Sequence, residues 1–138
     1  MNSMTVLHRE KTAFAVIVRD HVVNVDQPYT SGGLDCGPTP VELFVAALAA
    51  CAAHHGRGYL VRRGLPADGL EVTADFAMAP GNPPRVTRVG LDVRPPLPLS
   101  PEDSAGFRAA VEACTVRNSI DDPPRIGVHV EPAVPAVA

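Results

Sequence analysis

The spacing of apolar residues changes along the chain in an order that predicts a hairpin, a loop and then a long helix. Ala13–Val18 and His21–Val25 are apolar or β-branched runs separated by two polar residues, which is typical of two strands joined by a tight turn. Positions 27–38 contain glycines and prolines that interrupt regular structure. Thr39 is a favourable N-cap and Pro40 suits a first helical position, so the loop leads into a helix.

The helix that begins at Pro40 is predicted to run to Gly64, which follows two arginines, a common signal for a helix end. Its apolar residues recur at three- and four-residue spacing, as on the buried face of an amphipathic helix. This stripe consists of Leu43, Phe44, Ala47, Leu48 and Cys51. We therefore expect the helix to form the core of the domain and to hold the Cys51 thiol in apolar surroundings.

Beyond this helix, apolar and polar residues alternate with period two. Residues 70–78 and 87–93 show this alternation on either side of a glycine- and proline-rich segment at 79–84. The pattern predicts an antiparallel pair of half-buried strands joined by a turn.

Helical spacing then returns in the last third of the chain. Ser100 is expected to cap a second helix whose inner stripe consists of Phe107, Ala110, Val111 and Cys114. After a break at 121–124, a last strand is predicted from Ile126, Val128 and Val130, and positions 132–138 are expected to form a loose tail. These elements predict one α+β domain over residues 1–138.

Composition and charge limit the classes of partner and the cellular compartment that can be expected. The 138 residues carry a net charge of −3 from interspersed side chains, so nucleic acid is not an expected partner. No apolar run approaches the roughly 18 residues that span a bilayer, and the start of the chain lacks an export-signal pattern. We therefore expect a cytoplasmic protein with no membrane contact. Three cysteines, an odd number, then indicate reduced or cycling thiols and not a disulfide framework.

Several short motifs carry a family resemblance that covers nearly the whole chain. They are Asp26-Gln27-Pro28, Gly32-Gly33, Gly37-Pro38-Thr39-Pro40, Glu42-Leu43, Ala49-Ala50-Cys51 and Glu112-Ala113-Cys114-Thr115-Val116, preceded by His21. Together they resemble the OsmC/Ohr family of thiol peroxidases, and in their spacing its OsmC-like branch. The resemblance implies an antiparallel sheet wrapped around long central helices, with two chains intertwined as a homodimer.

The resemblance also implies a chemistry. Cys51 would be the peroxidatic thiol, oxidised by an organic hydroperoxide to a sulfenic acid, and Cys114 the resolving thiol that condenses with it to a disulfide. A dithiol reductant would then close the cycle without a cofactor. Phe44, Ala47 and Leu48, on the apolar stripe beside Cys51, would form the pocket for the alkyl part of the substrate.

The activating groups differ from those of the best characterised peroxidases of the family. Their pattern places a glutamate ten residues before the reactive cysteine, and Val41 stands at that position here. Glu42 follows, but one residue turns a side chain by about 100 degrees around a helix. The resemblance suggests Arg19 as the thiolate-stabilising cation, and His21 occupies a position typical of the OsmC-like branch. Arg19, His21 and Glu42 are therefore the candidate activating residues.

Each candidate also has a purely structural interpretation. A free cysteine is often a small buried hydrophobe, which applies to Cys51 and Cys114 alike. Thr39-Pro40-Val41-Glu42 has the form of a capping box, in which Glu42 serves the helix start. The alternative to the peroxidase is therefore a non-catalytic module that binds a hydrophobic small molecule in the same apolar cleft.

Two further features of the sequence are less specific. His54 and His55 follow Cys51 by three and four residues and would be near the thiol on the helix surface. Because no Cys-x-x-Cys or His-Glu-x-x-His motif accompanies them, no metal is expected. Cys36 is additional to the family pattern and lies too far along the helix axis to pair with Cys51 in the same chain.

Overall fold

The computed structural model describes residues 2–134 and confirms an α+β fold. Three strands are followed by a long helix, a strand pair and two shorter helices. The elements are β1 (Thr5–Glu10), β2 (Ala13–Val18), β3 (His21–Val25), α1 (Pro40–Arg62), β4 (Glu71–Met78), β5 (Val86–Arg94), α2 (Pro101–Glu112) and α3 (Thr115–Asp121). They form an antiparallel β1-β2-β3 sheet and an antiparallel β4-β5 pair. The predicted hairpins and the first two predicted helices are confirmed.

The N-terminal sheet contains one strand that the hydrophobic pattern did not predict. β1 is exposed along its whole length, so its sequence lacks the alternation that marks a half-buried strand. It pairs with β2, whose Ala13 and Ala15 are buried. Arg19, in the tight turn between β2 and β3, has a φ of 52°, in the left-handed region.

Helix α1 begins with the predicted capping box. The Thr39 hydroxyl accepts a hydrogen bond from the Glu42 amide at 3.1 Å, and the Glu42 carboxylate accepts one from the Thr39 amide at 2.9 Å. The buried residues of the helix are Val45, Leu48, Ala52, Gly56 and Leu60. The buried face of α1 is therefore rotated relative to the predicted stripe. Leu48 belongs to the core, but Phe44 and Ala47 are exposed.

Helices α1 and α2 cross closely because both have a glycine at the contact. A Cβ atom on Gly56 would lie 3.0 Å from the Phe107 ring, and a Cβ on Gly106 would overlap the Tyr59 phenol. The Tyr59 hydroxyl donates to Asp103 at 2.9 Å, and Arg63 Nε donates to the same carboxylate at 2.8 Å. These bonds hold the C-terminal half of α1 against the first turn of α2.

Two predictions for the C-terminal third are wrong. Cys114 does not close α2 but lies after it, as the N-cap of α3, a helix that was not predicted. Residues 126–130 form no strand within the described chain, and Ile126, Val128 and Val130 are 84–85% exposed. The alternation is present, but a strand also needs an edge with which to pair. Residues 132–134 lack regular structure, and 135–138 lie outside the described residues.

The N-terminal sheet lies apart from the helices of its own chain. α1 packs on α2, β4, α3 and β5, whereas no comparable packing with β1, β2 or β3 occurs among residues 2–134. Apolar side chains of this sheet, such as Val6 and Val22, remain more than half exposed. The wrapping of a sheet around the central helices is therefore not completed within one chain.

A buried carboxylate joins this sheet to the start of α1. Asp26 is 1% exposed. It accepts hydrogen bonds from the Thr12 hydroxyl and from the amides of Gln27 at 2.7 Å and of Leu34 and Cys36 at 3.2 Å. The bond from Thr12, followed by those from the amides, lowers the Asp26 pKa from 3.8 to about 2, against the opposing effect of burial. Asp26 therefore fixes the loop that leads into α1.

Candidate active site around two cysteines

Tertiary packing brings Cys51 and Cys114 together. Cys51 lies near the middle of α1 and is half-buried, whereas Cys114 is 2% exposed at the start of α3. The Cys114 thiol donates a hydrogen bond to the Cys51 sulfur, and both cysteines are free. The two predicted site cysteines are thus neighbours in the same chain.

The surroundings make the two thiols unequal. Desolvation by itself would raise the pKa of Cys51, but hydrogen bonds from Cys114 and from the backbone amides of Val116 and Thr115 outweigh it and lower the pKa. Desolvation, followed by the hydrogen bond to Cys51, raises the pKa of Cys114. The more exposed sulfur is therefore the better thiolate, and the buried one is its proton donor.

The first turn of α3 supplies the donors on which this difference depends. The amides at a helix start have no partner within the helix and are free to bind an acceptor. Here the Thr115 and Val116 amides donate to the Cys51 sulfur. Sequence reasoning missed this role because Cys114 is not among the residues that usually cap a helix. The resemblance of Cys114-Thr115-Val116 to the family pattern was the one signal in the sequence that pointed to this segment.

An apolar cavity of about 470 Å³ lies beside the pair, between α1, β5 and the α2–α3 junction. Of the three residues expected to form a substrate pocket, Phe44 and Leu48 line this cavity and Ala47 does not. Cys114 lines the cavity and Cys51 does not, since Cys51 lies on a neighbouring stripe of α1. Four charged side chains that the sequence did not indicate also line it, namely Arg88, Glu112, Arg117 and Asp121.

The predicted activating residues are not at the thiolate in the described chain. Glu42 is held in the capping box, nine residues from Cys51, or about 13 Å along the helix axis. Arg19 and His21 are exposed at the turn between β2 and β3. None of these three residues is among the groups that shift the Cys51 pKa. The structure therefore supports the capping role of Glu42.

The remaining candidates do not join the site. His54 is exposed and His55 half-buried on α1, and within residues 2–134 no group of three or more His, Cys, Asp or Glu side chains could hold a metal ion. Cys36 is exposed in the loop before α1. Desolvation and the nearby Asp26 carboxylate raise its pKa, so it is a poor nucleophile.

Among the helices of residues 2–134, none combines the length and the apolar character that a membrane span requires.

Comparison with known proteins identifies the family. The sequence profile described as OsmC-like protein matches residues 31–129, which include both cysteines and the loop before α1. The chain belongs to the OsmC-like family. No curated protein matches the sequence significantly.

Solved structures of OsmC-like proteins share the fold. A protein from Psychrobacter arcticus 273-4, described as an osmotic stress induced and detoxification response protein, superposes with a TM-score of 0.80 at 19% identity, covering 86% of this chain and 88% of that one. An OsmC-like protein from Mycoplasma pneumoniae gives 0.72 at 14% identity, covering 89% of each chain. An organic hydroperoxide resistance protein OsmC from Legionella pneumophila gives 0.63 at 19% identity, covering 86% and 88%.

Proposed function

We propose that this OsmC-like chain is a single-domain cytoplasmic peroxidase that reduces organic hydroperoxides with Cys51 as the nucleophile. The observation that carries the proposal is the contact between a Cys51 sulfur with lowered pKa and the buried Cys114 thiol. Oxidation of a thiolate to a sulfenic acid needs access to solvent, and resolution of that acid to a disulfide needs a second thiol within reach. The description of the Legionella relative as an organic hydroperoxide resistance protein supports the substrate class.

The proposed cycle has two steps in the protein. The Cys51 thiolate attacks one peroxide oxygen, so that an S–O bond forms, the O–O bond breaks and the alkoxide leaves as an alcohol after taking up a proton. The Cys114 sulfur then attacks the sulfenic sulfur of Cys51, so that the S–S bond forms and the S–O bond breaks, and the proton given up by the Cys114 thiol leaves with the hydroxide as water. A dithiol reductant supplies the two electrons that regenerate both thiols.

Substrate preference would follow from the cavity beside the pair. Its apolar lining by Phe44, Leu48 and Ala52 suits an alkyl chain better than hydrogen peroxide. We expect Leu48→Phe, which fills the cavity, to slow cumene hydroperoxide more than hydrogen peroxide. An equal effect on the two peroxides would contradict a role of this cavity in binding.

Completion of the site by a second copy is part of the proposal. The N-terminal sheet has little packing on the helices of its own chain, so it is free to wrap around those of a partner in an intertwined homodimer. That arrangement would carry Arg19 and His21 toward the partner's Cys51. A positive charge beside the Cys51 sulfur would stabilise the thiolate in addition to the amides of α3.

The decisive experiment oxidises the reduced protein with one equivalent of cumene hydroperoxide and maps its cysteines by mass spectrometry. Rapid loss of two hydrogens, localised to a Cys51–Cys114 disulfide, is expected. Cys51→Ser should abolish peroxide consumption, and Cys36→Ser is the matched control that should retain it. A Cys51→Ser variant that consumes hydroperoxide at the parent rate would contradict the proposal.

One observation favours a second candidate, a module that binds a hydrophobic small molecule without turning it over. Cys114, and not Cys51, is among the residues that line the cavity, so a ligand held there would lie beside the thiol whose pKa is raised. In this case an apolar fluorescent probe would bind in the cavity, and both thiols would remain reduced for minutes in hydroperoxide. Fast oxidation of the pair would exclude this alternative.

A further inference from the structure

The two thiols of the site also form a pair of ligands for a soft acceptor. Cys51 belongs to α1 and Cys114 lies at the start of α3. Their sulfurs are in hydrogen-bond contact, and both cysteines are free. Thiolates are soft ligands that prefer soft, polarisable acceptors. Packing of α3 on α1 therefore holds two soft ligands side by side before any acceptor arrives.

The number of ligands limits the acceptors that the pair can hold. Within residues 2–134, no third His, Cys, Asp or Glu side chain joins the two thiols in a metal-binding group. Cys36, the remaining cysteine, is exposed in the loop before α1 and takes no part in the contact. Structural zinc takes four ligands in tetrahedral geometry, so the pair does not suit it. An acceptor with two exchangeable positions matches two thiols.

The separation of the sulfurs favours an acceptor that lies between them. In a disulfide the sulfurs approach to about 2.05 Å, much closer than the two sulfurs of a thiol–thiol hydrogen bond. An atom inserted between the sulfurs leaves them near their present separation. Trivalent arsenic with one carbon substituent is a soft acceptor with two exchangeable oxygens. It therefore matches the pair in both number and spacing of ligands.

The cavity beside the pair has room for the carbon substituent. The cavity is about 470 Å³, and its lining includes Cys114 together with Phe44, Leu48 and Ala52. A group attached to an atom that is bonded to the Cys114 sulfur would extend along these apolar side chains. The bridged product carries no charge, so it also avoids the desolvation that opposes a Cys51 thiolate.

We propose that Cys51 and Cys114 bind monosubstituted trivalent arsenicals, R–As(OH)₂, with one arsenic atom bridging the two sulfurs and the substituent in the cavity. The more exposed Cys51 sulfur attacks first, so that an S–As bond forms, an As–O bond breaks, and the hydroxide leaves as water with the thiol proton. The Cys114 sulfur then displaces the second hydroxide in the same way. Arsenic remains trivalent, and no electron donor or acceptor takes part.

Phenylarsine oxide, whose hydrate is such an arsenical, is the probe for the reduced full-length protein. One equivalent should bind, with a mass gain of phenylarsine oxide less one water and the loss of two of the three free thiols. Dimercaptopropanol should remove it, whereas mercaptoethanol should not. Cys51→Ser and Cys114→Ser should each weaken binding by about a hundredfold or more, because the second bond is intramolecular. Cys36→Ser is the matched control and should bind as the parent does.

Arsenite, which has a hydroxyl group in place of the phenyl ring, tests the role of the cavity. The preference of the protein for phenylarsine oxide over arsenite should exceed the preference of dithiothreitol by about tenfold or more, because burial of an aromatic ring contributes at least that factor. Dithiothreitol offers two thiols without a cavity and is therefore the reference. Equal preferences would overturn the placement of the substituent in the cavity.

This inference does not depend on peroxide reduction, because arsenical binding oxidises neither thiol. A protein that binds the probe through both thiols but consumes no hydroperoxide would contradict only the proposed function. Rapid oxidation of the pair by hydroperoxide, without bridging by the probe, would overturn only the present inference. Parent-like binding by Cys114→Ser, or removal of the probe from the parent by mercaptoethanol, would also overturn it.

Discussion

Thr115→Pro is the sharpest test of how the Cys51 thiolate is stabilised. The substitution removes the Thr115 amide, one of the donors to the Cys51 sulfur, and leaves the rest of the site in place. Thr115 is the first residue of α3, where proline is a favoured residue. Cys114, which precedes it, has φ −66° and ψ 129°, the extended conformation that a residue before proline prefers. The helix should therefore form as before.

The size of the effect follows from the loss of one hydrogen bond to a charged sulfur. Hydrogen bonds to charged groups contribute about 1.5–3 kcal/mol, and the half-exposed position of Cys51 favours the lower end because water replaces part of the bond. At about 1.4 kcal/mol per pKa unit, the Cys51 pKa should rise by about one unit. The sign is upward because the lost bond stabilised the charged form.

The pH dependence of the reaction rate provides a two-sided signature. Well below the pKa, the thiolate is about tenfold scarcer in Thr115→Pro, but the more basic sulfur is about threefold more nucleophilic. The net rate there should fall by about threefold. Above both pKa values the thiol is fully ionised, and the variant should react about threefold faster than the parent. A variant that is merely misfolded would be slower at every pH.

The assay is alkylation by iodoacetamide from about pH 5 to pH 10, quantified on the Cys51 peptide in a Cys36→Ser background. Thr115→Ala keeps the amide and removes only the exposed side chain, so its midpoint should match that of the parent. Thermal unfolding checks that each variant is folded. A folded Thr115→Pro protein with an unchanged midpoint would refute stabilisation of the Cys51 thiolate by the Thr115 amide.

Two further predictions concern stability. The Asp26 pKa is about 2 in the folded chain, lower than its ordinary value of 3.8, so its contribution to the free energy of unfolding is complete above pH 3.8 and is lost as pH falls toward 2. Asp26→Asn should therefore unfold at lower denaturant concentration at pH 7 and lose that part of the acid dependence. A denaturation midpoint equal to that of the parent would contradict this. Gly106→Ala should lower the melting temperature because its Cβ would overlap Tyr59. Gly58→Ala, whose Cβ meets only the flexible end of Arg62, should raise the melting temperature through helix propensity. A change in the same direction in both variants would exclude the packing argument.

The features that the sequence predicted correctly are those that neighbouring residues decide. The capping box needs only Thr39 and Glu42, three positions apart, and the β4-β5 hairpin needs only alternation on both sides of a turn. The family resemblance singled out Cys51 and Cys114 by motif, and the structure places them side by side, whereas their catalytic role stays a prediction. Hydrophobic spacing alone placed Cys114 in the wrong element, because a helix that begins at a cysteine lacks the usual capping signal.

Features that depend on a distant partner could not be predicted in this way. The alternation of residues 126–130 indicated a strand, but strand formation requires an edge, and none accepts this segment within the described chain. The face of α1 that is buried was likewise decided by its neighbours. Phe44 and Ala47 fit the apolar stripe, yet the packing of α1 on other elements, chiefly α2 and β4, leaves Val45, Leu48 and Ala52 buried instead.

The amino-acid sequence by itself determined the β2-β3 and β4-β5 hairpins, the helices α1 and α2 and the capping box that starts α1, because periodicity and capping are properties of adjacent residues. Only the tertiary structure decided that the Cys114 thiol and the first amides of α3 meet the Cys51 sulfur. That contact depends on how α1 packs against the α2–α3 junction, with Gly56 allowing the close approach to Phe107. Packing between elements far apart in the chain therefore determines which thiol is activated.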